Sequence, residues 1–201
     1  DAESLLLVEL DGPASEVEQQ IGALESLLHA SGAREIRKST SEAERLKLWA
    51  GRKAAFGAMG HISPDYYCMD GTIPRGRLSE VLARISELSG SFGLRVANVF
   101  HAGDGNLHPL ILYDGNVPGD LDKAEQLGAE ILKCCVQVGG VLSGEHGIGI
   151  EKRDLMPYMF SDADLDAQER VKAALDPLGV MNPGKVFPVL RHCVEGGQMH
   201  V

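Results

Sequence analysis

The chain has 201 residues, of which 44% are hydrophobic and 24% charged, as is ordinary for a soluble globular protein with a hydrophobic core. Its net charge of −10 and pI of about 5.1 argue against a general binder of phosphate backbones. Aromatic residues make up 5% of the chain and leave few stacking platforms for single-stranded nucleic acid. We find no signal peptide and no apolar run near the roughly 20 residues that span a bilayer.

The four cysteines have neither the paired spacing of a metal site nor the density of a disulfide framework. They are Cys68, Cys134, Cys135 and Cys193. A reducing, cytoplasmic setting is therefore expected. An apolar segment begins at Ser4, almost at the first residue. So abrupt a start suggests that the sequence begins inside a longer protein.

The first part of the chain predicts a strand, a helix, a second strand and a second helix. Residues 4–10 form an apolar run that predicts a buried strand. Residues 15–32 carry one apolar stripe and end in a glycine, as a helix does. The short segment 33–38 is a candidate strand that pairs with the first. Ser41-x-x-Glu44 is a capping box that opens the next helix.

The rest of the chain alternates strands and helices. Pro74 stands where the first turn of a helix favours proline. The predicted elements are a strand at 66–70, a helix after Pro74, strands at 94–100 and 107–113, and helices at 120–138 and 162–175. This order predicts an α+β fold, with an antiparallel sheet, helices on one face and ferredoxin-like units.

The stretch His101-Ala102-Gly103-Asp104-Gly105-Asn106-Leu107-His108 lies between two apolar runs and predicts a hairpin. Asp104-Gly105 favours a two-residue type I′ turn, which requires positive φ at both central residues. With that turn, His101 and His108 are directly opposed across the strands, with Cβ atoms about 4.5–5.5 Å apart. Two imidazoles at that separation can bind the same metal ion.

Glu145 and His146 complete the strongest candidate site, within the glycine-rich segment Ser143-Gly144-Glu145-His146-Gly147. Two histidine nitrogens and one carboxylate, from His101, His108 and Glu145, leave an open coordination position, as in catalytic zinc sites. His146 then stands beside a ligand as a candidate proton acceptor. The alternative is that the histidines are ordinary surface or hydrogen-bonding residues.

Other candidates carry less weight. Gly103-Asp104-Gly105 and Gly147-Ile148-Gly149 lack the strand-then-helix context of a dinucleotide loop. Arg52 could bind a carboxylate through two hydrogen bonds, although the sequence alone favours a solvated helix charge. The adjacent pair Cys134-Cys135 is best explained as core packing. Residues 182–185 predict a turn that carries a cation.

Three motifs in order resemble one family: Asn98 to His108, Gly144-Glu145-His146-Gly147-Ile148-Gly149, and Met181-Asn182-Pro183-Gly184-Lys185. They resemble the C-terminal domain of FAD-linked 2-hydroxy-acid oxidases. This family includes glycolate oxidases, D-lactate dehydrogenases and D-2-hydroxyglutarate dehydrogenases. The resemblance covers nearly the whole chain, and the segment from Tyr66 to Arg75 is most similar to the glycolate oxidase branch.

The resemblance implies roles for four residues at the candidate metal site. In the family, the positions that match His101, His108 and Glu145 bind a divalent metal. The position that matches His146 is the expected general base. Zinc is the default metal for imidazole and carboxylate ligands, while Mn²⁺, Fe²⁺ and Co²⁺ also suit them.

The resemblance also implies contacts with the substrate and the flavin. The position that matches Arg52 is expected to bind the substrate carboxylate. The motif that contains Asn182 and Lys185 lies near the FAD in such enzymes, so both are predicted cofactor contacts. Cys68 stands where D-2-hydroxyglutarate dehydrogenases place a substrate-binding lysine. This departure favours a smaller hydroxy acid such as glycolate or D-lactate.

The resemblance predicts one substrate-and-metal domain over residues 1–201, with an irregular, flavin-proximal part at about 177–201. The pyrophosphate loop of the family's N-terminal FAD-binding domain is missing from this sequence. We therefore expect one part of an FAD-dependent enzyme that oxidises the CH–OH group of a 2-hydroxy acid. Its expected partners are this substrate, the flavin domain of the same parent chain, and iron–sulfur or other electron-transfer subunits.

The fragment alone is expected to be inactive, because it has no electron acceptor. Two alternatives belong to other functional classes. One is a stand-alone metal-dependent hydrolase, in which His146 or Glu145 activates water. The other is a non-enzymatic module for subunit assembly, in which the histidines are structural.

Overall fold

The structure is a computed structural model that describes residues 4–188, in two compact units divided between Ala58 and Met59. The described helices and strands are α1 (Ala14–Ala30), α2 (Glu42–Met59), β1 (Asp65–Cys68), β2 (Gly71–Thr72), α3 (Leu78–Phe92), β3 (Val96–Asn98), β4 (Asn106–Leu107), β5 (Pro109–Tyr113), α4 (Asp120–Gln137), α5 (Met156–Met159) and α6 (Asp162–Leu175). Short 3₁₀ helices at Arg75–Arg77 and Arg153–Leu155 precede α3 and α5.

The N-terminal unit contains the two predicted helices. Gly32 has a positive φ of 80° just beyond the end of α1, as a helix-terminating glycine does. At the start of α2, the Ser41 hydroxyl accepts a hydrogen bond from the Glu44 N–H at 3.3 Å. The Glu44 carboxylate accepts from the N–H of Thr40 rather than from that of Ser41, at 2.7 Å. The predicted cap is therefore present, but the Glu44 carboxylate accepts from the residue before the one expected in a capping box.

The two strands predicted in this unit are wrong. Residues 4–10 and 33–38 have no strand structure, and the Leu5 side chain is 87% exposed. A strand is stable only when its backbone groups pair with a neighbour, and none of the described strands pairs with either segment. Glu9 instead places its carboxylate against the side chains of Arg45 and Trp49.

The second unit is built on a three-stranded antiparallel sheet in the order β1-β5-β3. Helices α3 and α4 pack against each other and against this sheet. Their apolar stripes are buried, as predicted, and they form the core together with the strands. The core includes Val81, Ile85, Leu127, Ile131, Ile111 and both Cys134 and Cys135. The α+β class is therefore confirmed.

The hairpin that carries the histidines has a different register from the predicted one. His101 pairs with Asn106, through hydrogen bonds of 3.0 and 3.3 Å, rather than with His108. The loop therefore has four residues, 102–105, and Gly105 has positive φ while Asp104 does not. The predicted type I′ turn is wrong. The physical reason is tertiary, because β4 pairs with β2 and the Gly105 carbonyl accepts from the Ile73 N–H at 2.9 Å.

This loop offers a matched pair of glycines for a stability test. Gly105 has φ of 71°, and a Cβ there would lie 2.2 Å from the Ile73 carbonyl oxygen. At Gly103 φ is not positive, and a Cβ there would meet nothing within 4 Å. Because a left-handed non-glycine residue costs on the order of 1–3 kcal/mol, Gly105→Ala should lower the free energy of unfolding by about that amount. Urea denaturation should show little change for Gly103→Ala, and equal losses for both variants would contradict the assigned loop.

The last described helix and the segment after it agree with the sequence analysis. Helix α6 spans Asp162–Leu175 as predicted, and begins with a capping box between Ser161 and Asp164. Residues 177–188 are irregular, while Cys193 and the rest of 189–201 lie outside the described residues. Within residues 4–188, no helix combines the length and apolar character needed to cross a membrane.

Candidate metal centre

Two histidines of one hairpin and a glutamate about forty residues further along the chain converge in the second unit. The possible ligand atoms of His101, His108 and Glu145 all lie within 4.8 Å of one another. Glu145 Oε1 is 3.6 Å from His108 Nε2 and 3.9 Å from His101 Nε2. In tetrahedral geometry, two ligand atoms that each lie about 2.1 Å from a zinc ion are about 3.4 Å from each other. The donor set and its spacing therefore fit a divalent metal.

The observed register explains why the two imidazoles still meet. His101 opposes Asn106, and His108 is two residues further along, so both side chains point to the same face of the hairpin. Diagonal neighbours of this kind remain within reach of long side chains. The ring centroids of the two histidines are 5.6 Å apart. The two histidines therefore share a face, as predicted, although they are not directly opposite each other.

The two histidines differ in exposure. The His108 side chain is 6% exposed, whereas that of His101 is 49% exposed. Burial lowers the pKa of His108 and outweighs the opposite effect of the Glu145 and Asp70 carboxylates. A lowered pKa favours the neutral imidazole, which is the form that binds metals.

The loop that presents Glu145 is held by Asp70, which directly precedes β2. Asp70 Oδ2 accepts hydrogen bonds from the Ser143 hydroxyl at 2.6 Å and from the N–H groups of Gly144, Glu145 and His146 at 2.9–3.1 Å. The Ser143 hydroxyl in turn accepts from the Gly147 N–H at 2.8 Å. One carboxylate therefore fixes the backbone of the whole 143–147 loop.

Asp70 is fully buried and paired with a buried cation. Lys152 Nζ donates to the Asp70 main-chain oxygen at 2.7 Å and to its Oδ2 at 3.2 Å. Burial alone would raise the pKa of the Asp70 carboxyl, but hydrogen bonds from Ser143 and the loop N–H groups, with the Lys152 charge, lower it below the ordinary value. Asp70 is therefore an anion in the folded protein.

Asn106 links the hairpin to the loop. Its Nδ2 donates to Glu145 Oε1 at 2.6 Å, and its Oδ1 accepts from the Thr72 hydroxyl at 3.5 Å. Close packing here requires a glycine at 144, because a Cβ there would lie 2.4 Å from Thr72 Oγ1 and 2.5 Å from Asn106 Oδ1. The glycine-rich loop thus lets its backbone approach the hairpin.

His146 lies beside the cluster, as the sequence analysis predicted. Its ring stacks on that of His108, with centroids 5.3 Å apart and planes inclined by 20°. The His146 side chain is exposed, so it is open to a ligand on the solvent side. Its position next to a buried imidazole suits a proton acceptor at the edge of a metal site.

The remaining predicted site residues belong to other elements of the chain. Arg52 is on α2 in the N-terminal unit, where its guanidinium lies 5.8 Å from the Phe56 ring centroid. Residues 182–185 form the predicted turn, in which Lys185 Nζ donates to Asn182 Oδ1 at 3.1 Å. Arg153 donates to the Gly184 carbonyl at 2.9 Å and connects this turn to the segment that precedes α5. The roles assigned to Arg52, Asn182 and Lys185 stay predictions.

Three residues at the site were not found by sequence reasoning. Asp70, Asn106 and Lys152 act through contacts between positions that are 39 to 82 residues apart. One local pattern could have indicated Asp70, because a lone acid ends the mostly apolar run before Gly71. Asn106 lies inside the recognised motif, but nothing in the local sequence indicates its side-chain contact with Glu145.

The fold and the cluster define an α+β protein with a group of two histidines and one carboxylate that could hold a metal ion. Comparison with protein-family models then gives the family. The model of the "FAD linked oxidases, C-terminal domain" matches residues 1–186, and the chain belongs to this family. The resemblance inferred from the three motifs is confirmed.

Individual relatives agree with this assignment. The glycolate oxidase subunit GlcD of Escherichia coli is 55% identical over all 201 residues, which cover 40% of that relative. Its Bacillus subtilis counterpart is 31% identical over 92% of this chain and 40% of its own length. A D-2-hydroxyglutarate dehydrogenase of Stutzerimonas stutzeri is 30% identical over 90% of this chain and 40% of its length. The chain thus spans about two fifths of these relatives.

Proposed function

We propose that this chain is the substrate-and-metal part of an FAD-dependent enzyme that oxidises a small 2-hydroxy acid to the 2-oxo acid. The observation that carries the proposal is the convergence of His101, His108 and Glu145 within 4.8 Å, with His146 stacked beside them, in a member of the FAD-linked oxidase family. The roles of the individual residues follow from their chemistry.

His101, His108 and Glu145 would hold a divalent cation, with zinc as the first choice and Mn²⁺, Fe²⁺ and Co²⁺ as alternatives. Such a cation supplies Lewis acidity, which lowers the pKa of a coordinated hydroxyl group. The buried His108 is favoured in its neutral, metal-binding form. Glu145 supplies a negative charge that offsets part of the charge of the cation.

His146 is the proposed base. Its exposed ring, stacked on His108, can accept the proton of a substrate hydroxyl while the α-hydrogen leaves with its electron pair. FAD is the proposed acceptor of that hydride. In this proposal Arg52 binds the substrate carboxylate, and Asn182 and Lys185 contact the flavin. These three roles rest on the family resemblance.

Glycolate or D-lactate is the proposed substrate. The 55% identical relative is named a glycolate oxidase subunit, and more distant ones are named D-lactate dehydrogenases. Cys68 lies on β1, and its thiol, unlike a lysine ammonium, is not a cation that could pair with a second carboxylate. This supports a monocarboxylate over 2-hydroxyglutarate.

The proposal extends to partners and location. A flavin domain in the same parent chain would supply the FAD, and electron-transfer subunits are proposed as further partners. A cytoplasmic setting is supported by the free cysteines Cys68, Cys134 and Cys135 among the described residues.

The proposal predicts a defined substrate range. The parent protein that contains these 201 residues and FAD should reduce an artificial electron acceptor with glycolate or D-lactate. His146→Ala should lower kcat by about 100-fold, because a positioned base contributes at least that much. His61→Ala, at an exposed histidine outside the cluster, is the matched control.

Three results would contradict parts of this proposal. Failure of both glycolate and D-lactate, with another hydroxy acid oxidised, would overturn the substrate assignment. Oxidation of a hydroxy acid by the 201-residue chain without added flavoprotein would overturn the assignment of the FAD to a separate domain. Ester or amide hydrolysis by the zinc-loaded chain would favour the hydrolase alternative.

A further inference from the structure

We propose that Asn106 is a positioning residue that orients the Glu145 carboxylate for metal binding and thereby sets the metal affinity. The inference rests on the proposed function, because it requires that a divalent cation bind to His101, His108 and Glu145. It assigns a role to a side chain that is not itself a ligand.

The geometry begins with one carboxylate oxygen. Asn106 Nδ2 donates to Glu145 Oε1 at 2.6 Å, and this same oxygen lies 3.6 Å from His108 Nε2 and 3.9 Å from His101 Nε2. The amide therefore holds the oxygen that faces both imidazoles. It does so from the same hairpin that carries the two histidines.

Glu145 needs such a restraint. Its side chain is 54% exposed, and a free glutamate on a loop loses rotamer entropy when it becomes a ligand. Asn106 is 5% exposed and belongs to β4, so its own position is fixed by the fold. A buried amide that holds an exposed carboxylate reduces the entropy lost when the metal binds.

The Asn106 amide is itself oriented. The Thr72 hydroxyl donates to Asn106 Oδ1 at 3.5 Å, which directs the Nδ2 group towards Glu145. The backbone of Asn106 pairs with that of His101 on one side and with Thr72 on the other. Asn106 thus bonds to His101 through its main chain and to Glu145 through its side chain.

The expected effect is on affinity. Hydrogen-bond partners of metal ligands typically contribute 10- to 100-fold in metal affinity, so Asn106→Ala should weaken zinc binding by about that factor. Asn116→Ala, an exposed loop asparagine that contacts Asp114, is the matched control and should leave the affinity within about twofold. Zinc affinity of the full chain is measured by competition with a chromophoric chelator, with circular dichroism to check folding.

A double-mutant cycle separates positioning from a merely structural role. If Asn106 acts through the carboxylate, Asn106→Ala should cause little further loss in a Glu145→Ala background, which lacks the oxygen that Asn106 holds. The same loss in both backgrounds would overturn the proposal. Thr72→Val keeps Asn106 and should weaken zinc binding a few-fold, as expected for one hydrogen bond of about 1 kcal/mol.

The outcomes distinguish this inference from the proposed function. Zinc binding by the unmodified chain with unchanged affinity in Asn106→Ala overturns only the role of Asn106. Failure of the unmodified chain to bind zinc, manganese or cobalt overturns the metal centre, and the inference with it.

Discussion

Asp70→Asn should destabilise the protein by about 3–5 kcal/mol and weaken metal binding, because it leaves the buried Lys152 ammonium without a counter-ion. The amide keeps the shape of the carboxylate but loses its charge. The amide also has only one acceptor oxygen, whereas the Asp70 carboxylate accepts from the Glu145 N–H through both of its oxygens. The 143–147 loop, which carries Glu145 and His146, loses its anchor. Urea denaturation and zinc titration measure the two effects.

A surface variant provides the control for this prediction. Asp166→Asn removes an exposed ion pair with Arg170 and should cost less than about 1 kcal/mol. The double variant Asp70→Asn/Lys152→Met should recover part of the stability, because a buried ion pair can often be replaced by apolar groups. Equal stability of Asp70→Asn and the unmodified protein would show that this pair does not hold the loop.

Asp70→Asn should also change how the free energy of unfolding depends on pH. The pKa of Asp70 is lowered in the folded state, so its stabilising contribution is present above its ordinary value of 3.8 and is lost as the pH falls below that value. The stability difference between the unmodified protein and Asp70→Asn should therefore be constant from about pH 7 to about pH 5. It should shrink below about pH 4, which a series of urea titrations can follow.

His108→Ala should reduce zinc affinity by about 100- to 1000-fold. Apparent zinc-binding free energies of about 10–16 kcal/mol over four ligands assign about 2.5–4 kcal/mol to each ligand, which is roughly 70- to 900-fold. His108 supplies the buried nitrogen of the cluster, at 3.6 Å from Glu145 Oε1. Isothermal titration calorimetry of the full chain measures the loss.

Two further histidine variants complete this experiment. His101→Ala removes a ligand whose side chain is 49% exposed, so it tests the metal centre with little disturbance of packing. His61→Ala, outside the cluster, should bind zinc as the unmodified chain does. Unchanged zinc content in both ligand variants would favour the assembly-module alternative, in which the histidines are structural.

The helices and the candidate ligands could be predicted because their patterns are local. Capping at Ser41 and the apolar stripes of α3 and α4 are short-range features that the fold retains. His101 and His108 are seven residues apart in one hairpin, so a sheet-forming pattern was enough to place them on one face.

What could not be predicted depends on distant partners. Residues 4–10 have the composition of a strand, but pairing, not composition, decides whether a strand forms. The hairpin register was set by β2, more than thirty residues earlier, and not by the intrinsic preference of Asp104-Gly105. The anchoring of Glu145 by Asp70 and Asn106 is invisible in any single stretch of sequence for the same reason.

The observed hairpin register differs from the predicted one by two residues, and both histidine side chains stay on one face because strand side chains alternate with a period of two. A register shift by an even number of residues preserves this parity, whereas a shift by one residue turns one imidazole away. Changes in the length of the 102–105 loop that keep His101 paired with Asn106 leave the donor pair on one face. The donor pair therefore tolerates variation in the loop but not a one-residue slip of the strands.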